Sequence, residues 1–159
     1  MVSVLVSYNN SILSHFIRSA SKEPASHFAI CFDQRLVFHS NLFGAHPTFR
    51  STFEKSNTVF KEILIPNTTA EQEEAIYMNC LQFDGKPYDY MALLYLCTVG
   101  YAESVFLNKV PKNNPFNHDK YYLCTEVAKC LDPVVKLDMD LSITTPWKLI
   151  NMIQEKVHG

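Results

Sequence analysis

Apolar and polar positions alternate along residues 2–8 (Val-Ser-Val-Leu-Val-Ser-Tyr), which predicts a short strand at the start of the chain. The period then changes. Residues 10–20 place Ile12, Leu13, Phe16 and Ile17 on one helical face, so an amphipathic helix is expected there. Two β-compatible apolar runs follow, residues 26–32 and 35–40, with Asp33-Gln34 between them as a two-residue hairpin turn. Phe43-Gly44-Ala45-His46-Pro47 reads as a loop. Residues 58–65 (Thr-Val-Phe-Lys-Glu-Ile-Leu-Ile) form a third run, stopped by Pro66. Thr68-Thr69 caps the next helix, and Glu71, Glu73 and Glu74 favour its positive end. That helix ends near Gly85, with Pro87 just beyond.

The second half of the chain is more helical. Asp89 is the expected N-cap of an apolar helix running to about residue 108. Its uncharged part, residues 90–102, is too short to cross a bilayer and reads as a buried core helix. Residues 109–120 are polar and contain Pro and Asn, hence a loop. A helix over 123–131 is closed by Asp132-Pro133, and 134–137 reads as a short strand. Thr144-Thr145-Pro146-Trp147 opens the last helix, with a Thr cap and Pro in the first turn. The sum is an α+β domain spanning residues 1–159, a small antiparallel sheet with helices before and after it.

Composition narrows the chemistry. The chain has 159 residues, and 47% of them are hydrophobic, enough for one folded core and against disorder. A net charge of −2 argues against nucleic acid as a partner. Four glycines leave no Gly-rich phosphate loop. The N-terminus lacks a basic segment and a small-residue cleavage site, so no signal peptide is expected. Five cysteines, an odd number without a CxxC pair, argue against a disulfide framework and a zinc ribbon. They fit a reducing compartment, and no metal or cofactor is expected.

One of those thiols stands apart. Cys124 falls at the start of the 123–131 helix, where the helix dipole and unpaired N–H groups favour a thiolate and offer an oxyanion hole. Cys31, Cys80, Cys97 and Cys130 lie inside predicted elements and read as packing thiols. Upstream, His27 opens one strand and His39 lies near the end of the next. A two-residue turn at Asp33-Gln34 would set the two imidazoles nearly opposite one another, close enough for one to orient the other. His15, His46, His118 and His158 read as surface residues.

At these residues the chain resembles a known group, the circularly permuted papain-like hydrolases of the NlpC cell-wall peptidase superfamily, which include the lecithin retinol acyltransferase branch. Ser26-His27-Phe28-Ala29-Ile30 is similar to that family's Ser-His-hydrophobic strand, and Val37-Phe38-His39-Ser40 to the strand whose polar residue orients the histidine. The spacing of His27 and His39 is like the acyltransferase branch. Gly85-Lys86-Pro87-Tyr88-Asp89-Tyr90 resembles the Gly-x-x-Tyr-Asp segment, Cys124-Thr125-Glu126-Val127 the Cys-Ser/Thr-Glu-aliphatic helix start, and Thr144-Thr145-Pro146-Trp147-Lys148-Leu149 the closing Thr-Pro-x-x-Leu helix. The family's Gly-Asp-aliphatic entry before the histidine strand is absent.

The resemblance implies a permuted papain-like fold with Cys124 as nucleophile, His27 as general base and His39 as its orienter. Tyr8, Tyr88 and Glu126 become candidates for the oxyanion site or substrate groove. The implied reaction is amide cleavage through a thioester, in peptide or peptidoglycan-type substrates. A lipid acyltransferase or thioesterase acting on a lipid ester or lipid amide is the alternative. A bacterial or phage protein, cytoplasmic or in a virion, is the expected setting. A non-catalytic subunit of a larger phage assembly is a third possibility on the same fold.

Overall fold

A computed structural model describes residues 1–100, 114–115 and 120–158. Five strands form one antiparallel sheet: β1 (Val2–Tyr8), β2 (His27–Phe32), β3 (Leu36–Asn41), β4 (Gly44–Phe49) and β5 (Thr58–Leu64), in the order β4-β3-β2-β1-β5. Its helices are α1 (Ile12–Ser21), α2 (Arg50–Ser56), α3 (Ala70–Phe83), α4 (Tyr90–Tyr95) and α5 (Pro146–His158). Two 3-10 helices, Cys124–Leu131 and Leu141–Ile143, and a π-helical turn, Leu96–Gly100, complete the described elements. The chain is therefore α+β with a small antiparallel sheet, as expected.

Strand alternation sends side chains to two faces. Val2, Val4, Val6, Phe28, Ile30 and Phe38 join the large core with residues of α3, α5 and the Cys124–Leu131 helix. Leu5, Ala29, Cys31 and Val37 face the other way and pack on Phe53 of α2. Arg50, at the head of α2, is held by Glu62 of β5 at 2.8 Å and by Glu54 at 2.7 Å.

The β2–β3 hairpin turns at Asp33 and Gln34, both with positive φ, and Arg35 N–H donates to Phe32 O at 2.9 Å. The ladder nevertheless resumes at Leu36, paired with Phe32, so Arg35 is an extra residue. This overturns the simple two-residue register. Without Arg35, His39 would pair with Phe28 and its ring would fall on the face opposite His27. The extra residue pairs His39 with Ala29 and brings both imidazoles to one face. The histidines are diagonal neighbours, not directly opposed ones.

Three other expectations are corrected. Residues 44–49 form β4 where a loop was expected. Pro47 lacks an N–H but sits on the sheet's edge strand, where one ladder side suffices. The apolar stripe of α1 does not face the core: Ile12 and Phe16 are exposed, while Ser14 is buried and its Oγ lies 2.7 Å from Ser26 Oγ. The helix is tied down through its small polar face. Residues 134–137 make no strand. Val135 is buried and Val134 and Leu137 pack on the core, so these side chains anchor a coil.

The caps agree with the sequence. Thr69 and Gln72 form a capping box on α3, and Gly85 follows it with φ of 74°. Asp89 accepts from Ala92 N–H at 2.7 Å, and Thr145 caps α5 ahead of Pro146. Beyond α4 the chain continues as a π-helical turn, Leu96–Gly100. The remainder of the helix expected to about 108, most of the 109–120 loop and His118 lie outside the described residues. No described helix is long and apolar enough to cross a membrane.

Candidate active site

β2 and β3 stop pairing at Ala29 and His39, so their ends part at His27–Phe28 and Ser40–Asn41. The chain entering the Cys124 helix arrives at this fork. A bridge between Tyr88 and Tyr122 lays that entry beside the start of α4, with Tyr122 N–H donating to Pro87 O and Asp89 N–H to Tyr122 O. Ser40 Oγ donates to Tyr122 O at 3.2 Å. Glu126 then caps the helix: Oε2 accepts from Leu123 N–H at 3.0 Å and Oε1 from Lys129 at 2.9 Å. Its carboxylate is buried in that role and lines neither cavity described below.

Cys124 is buried, and this decides its ionisation. Burial pushes the thiol up to about 11, while N–H groups of Phe28, Thr125 and Cys124 itself pull it the other way. The helix-terminus expectation of a ready thiolate is thus reversed. A helix end contributes about 0.3–1 kcal/mol, less than one pKa unit at 1.36 kcal/mol, and burial outweighs it.

The imidazoles form a close pair, with His27 Nε2 3.0 Å from His39 Nδ1. Phe53 walls both rings, at 6.0 Å from His27 and 5.1 Å from His39 between centroids. Burial, followed by the charge of His46, lowers His27 to about 4. Burial lowers His39 as well, with the charges of His27 and His46 acting in the same direction. Near neutral pH the thiol and both these rings are uncharged.

Two cavities meet at the fork. The first, about 310 Å³, has Cys124, Cys97, Leu93, Leu96 and Ile143 in its walls. The second, about 340 Å³, holds His27, His39, His46, Asn41 and Thr52. Ser26, Tyr88 and Ile17 belong to both. The structure therefore joins His27 to His39 directly on the Phe53 face of the sheet, while the Cys124 helix packs on the other face and the thiol meets β2 through Phe28 N–H. No side-chain hydrogen bond links the thiol to His27. Tyr88 is placed where expected, buried between the cavities, its hydroxyl raised by burial and by the neighbouring Cys124 and Cys97. Tyr8 is not: its ring lies under the Arg18 guanidinium at 4.5 Å and lines neither cavity.

Cys31, Cys80 and Cys130 are buried in the core away from these cavities. Cys97 is buried too but shares the first cavity with Cys124. Sequence reasoning missed Ser26 and His46 as site neighbours. The Ser-His pair was visible for the first. For His46, Pro47 masked a strand. Among the described residues, no group of three or more His, Cys, Asp or Glu side chains has the geometry to hold a metal ion. Compared with protein-family models, curated proteins and solved structures, the chain matches none.

Proposed function

We propose that the protein is a cysteine-dependent hydrolase that cleaves amide bonds through a thioester on Cys124, on a circularly permuted papain-like scaffold. The observation that carries this reading is the His27–His39 pair at 3.0 Å, in a chain whose next residue, Phe28, hydrogen-bonds through its N–H to a thiol at the head of a helix. The order of parts, imidazole strands before the cysteine helix, supports the permuted arrangement.

The chemistry follows from the resting protonation. Cys124 attacks as a thiol. As its sulfur bonds the substrate carbonyl, its proton moves to His27 Nδ1, the ring nitrogen that His39 does not engage. His39 holds that ring in place and shares the charge it gains. The carbonyl oxygen becomes an oxyanion, for which N–H groups at the helix start are the nearest backbone donors. His27 then returns the proton to the departing amine; water, deprotonated by the same ring, attacks the thioester, and His27 passes that proton to the departing sulfur, which frees the acid and restores the thiol. Peptide or peptidoglycan-type amides are the substrates that the family resemblance favours.

A second reading has its own observation. Apolar side chains dominate the wall of the first cavity, which Cys124 lines. Apolar walls suit apolar ligands. They favour a lipid ester or lipid amide as acyl donor to the same thiol. Exposure to p-nitrophenyl acetate followed by intact mass and peptide mapping tests the shared step. An acetyl group on Cys124, absent in Cys124→Ala and slowed in His27→Ala, is expected. No adduct, or one that persists in Cys124→Ala, overturns the reading. Turnover of muropeptides against lipid esters then separates the two substrates.

A further inference from the structure

The cavity on the Phe53 face of the sheet differs from the thiol cavity in charge. Among the described residues no Asp, Glu, Lys or Arg lines it, whereas Glu23 and Lys148 line the first cavity. Burial keeps both rings of the His27–His39 pair uncharged near neutral pH. We propose that this cavity binds an uncharged polyhydroxylated ligand, a neutral sugar ring, through the imidazole pair and the hydroxyls of Thr48 and Thr52. The inference goes beyond the hydrolase reading and stands without it, because Cys124 does not line this cavity.

Counting protons shows what the cavity offers. Two neutral imidazoles carry two ring protons. One lies in the bond between His27 Nε2 and His39 Nδ1. The other sits on His27 Nδ1 or on His39 Nε2. The pair thus presents one donor and one acceptor, whichever ring donates in the shared bond. Neither of these outer nitrogens has a hydrogen-bond partner among the described residues. The hydroxyls of Thr48 and Thr52 are unpartnered there too. So is Nδ2 of Asn41, whose Oδ1 accepts from Phe43 N–H at 2.8 Å. His46 Nδ1 lies 3.1 Å from Gly44 O, and a carbonyl only accepts, so the neutral ring adds a lone pair on Nε2.

These groups decide the kind of ligand. A charge brought into a cavity without a counter-charge loses its hydration and meets no opposite charge in return. A ligand with several hydroxyls regains its hydrogen bonds, because each hydroxyl both donates and accepts and so meets a pair whose donor can change sides. Phe43 lines the same cavity and is 93% exposed, which leaves an aromatic face for the C–H side of a sugar ring. At about 340 Å³ the cavity is at the small end of ligand sites, which suits a small ligand. The backbone holds its β4 wall. Gly44 has φ of 104°, and a Cβ there would lie 2.5 Å from Lys86 O. Ala45 N–H donates to Lys86 O and Gly85 N–H to Ala45 O, both at 2.9 Å. The turn after α3 thus clamps β4, the strand that carries His46 and Thr48.

The test is a titration of the ¹⁵N-labelled full chain with glucose, galactose and mannose near pH 8, above the ordinary histidine range of about 6.5, read in backbone and imidazole proton–nitrogen spectra. At least one sugar should shift the His27, His39 and Thr52 signals saturably below about 100 mM, while His15 and His158 stay still. The corresponding uronate, the same ring with a carboxylate, should bind about tenfold more weakly or worse. Thr52→Val keeps the shape and removes the hydroxyl, and should weaken binding about fivefold, the loss of one neutral hydrogen bond. No saturable shift with any of these sugars overturns the proposal. So does a uronate that binds as tightly as its parent, or Thr48→Val and Thr52→Val variants that both bind like wild type. If a valine variant does not fold, the wild-type titrations decide. Cys124→Ala should bind as wild type does. Sugar binding with no acylation of Cys124 therefore sinks the hydrolase reading alone, whereas acylation without sugar binding sinks only this inference.

Discussion

Burial makes Cys124 a reluctant thiolate, and that has a measurable size. The thiol stands near 11 in the fold. At pH 7 about one molecule in 10⁴ is then ionised, against roughly three in a hundred for an ordinary cysteine near 8.5. Ionisation alone slows alkylation by a factor of about 300, and steric cover slows it further. The helix start works against this by about 0.3–1 kcal/mol, while raising a thiol from 9 to 11 corresponds to about 2.7 kcal/mol. The assay is iodoacetamide labelling from pH 6 to 10, quantified at Cys124 by peptide mapping, with free cysteine as reference and circular dichroism to check the fold at each pH. The expected rate at Cys124 rises about tenfold per pH unit without levelling below pH 10. A plateau with an inflection near 7, or labelling at pH 7 as fast as free cysteine, would refute the dominance of burial. It would show instead a preformed thiolate–imidazolium pair. The result also selects the mechanism, because a neutral thiol needs His27 to take its proton during attack.

Other outcomes follow from the same geometry. Gly44→Ala forces an L residue into positive φ and its Cβ into Lys86 O; a loss of about 2–4 kcal/mol in urea unfolding is expected, and a change under 0.5 kcal/mol would contradict the clamp. Glu126→Ala strands the buried Leu123 N–H and should cost about 2 kcal/mol, with Glu126→Gln costing less; equal losses would mean that the carboxylate's charge, not its acceptor oxygen, matters. Stability should also depend on acid. His27 sits near 4 in the fold and about 6.5 unfolded, so the unfolded chain binds more protons as pH falls through 6.5, and stability drops until about pH 4. His27 contributes about 3 kcal/mol to that drop at most, with His39 adding to it. Urea unfolding across pH 4–8 should show the decline, and a flat profile would mean that neither ring is buried neutral.

Local signals carried most of the architecture. The alternation in residues 2–8, the Thr69 box, Asp89, and the Thr145-Pro146 start each specify an element through contacts within a few residues, so they were legible in the chain. The candidate site was partly so: His27, His39 and Cys124 stand out by residue type and by the helix start beside the thiol. Their relation was not. One extra residue, Arg35, decides that the two imidazoles share a face, because side chains alternate along a strand and a slip of one reverses them. The ionisation of Cys124 was misjudged for a similar reason. A helix end is a local feature, but desolvation depends on everything packed around it, including the Tyr88 and Ser26 walls. His46 became a neighbour of the site only once β4 paired with β3 and the Lys86 turn clamped Gly44. Sequence determined which groups are present and which elements carry them. Tertiary structure decided which face they share, how dry they are, and therefore where their protons reside.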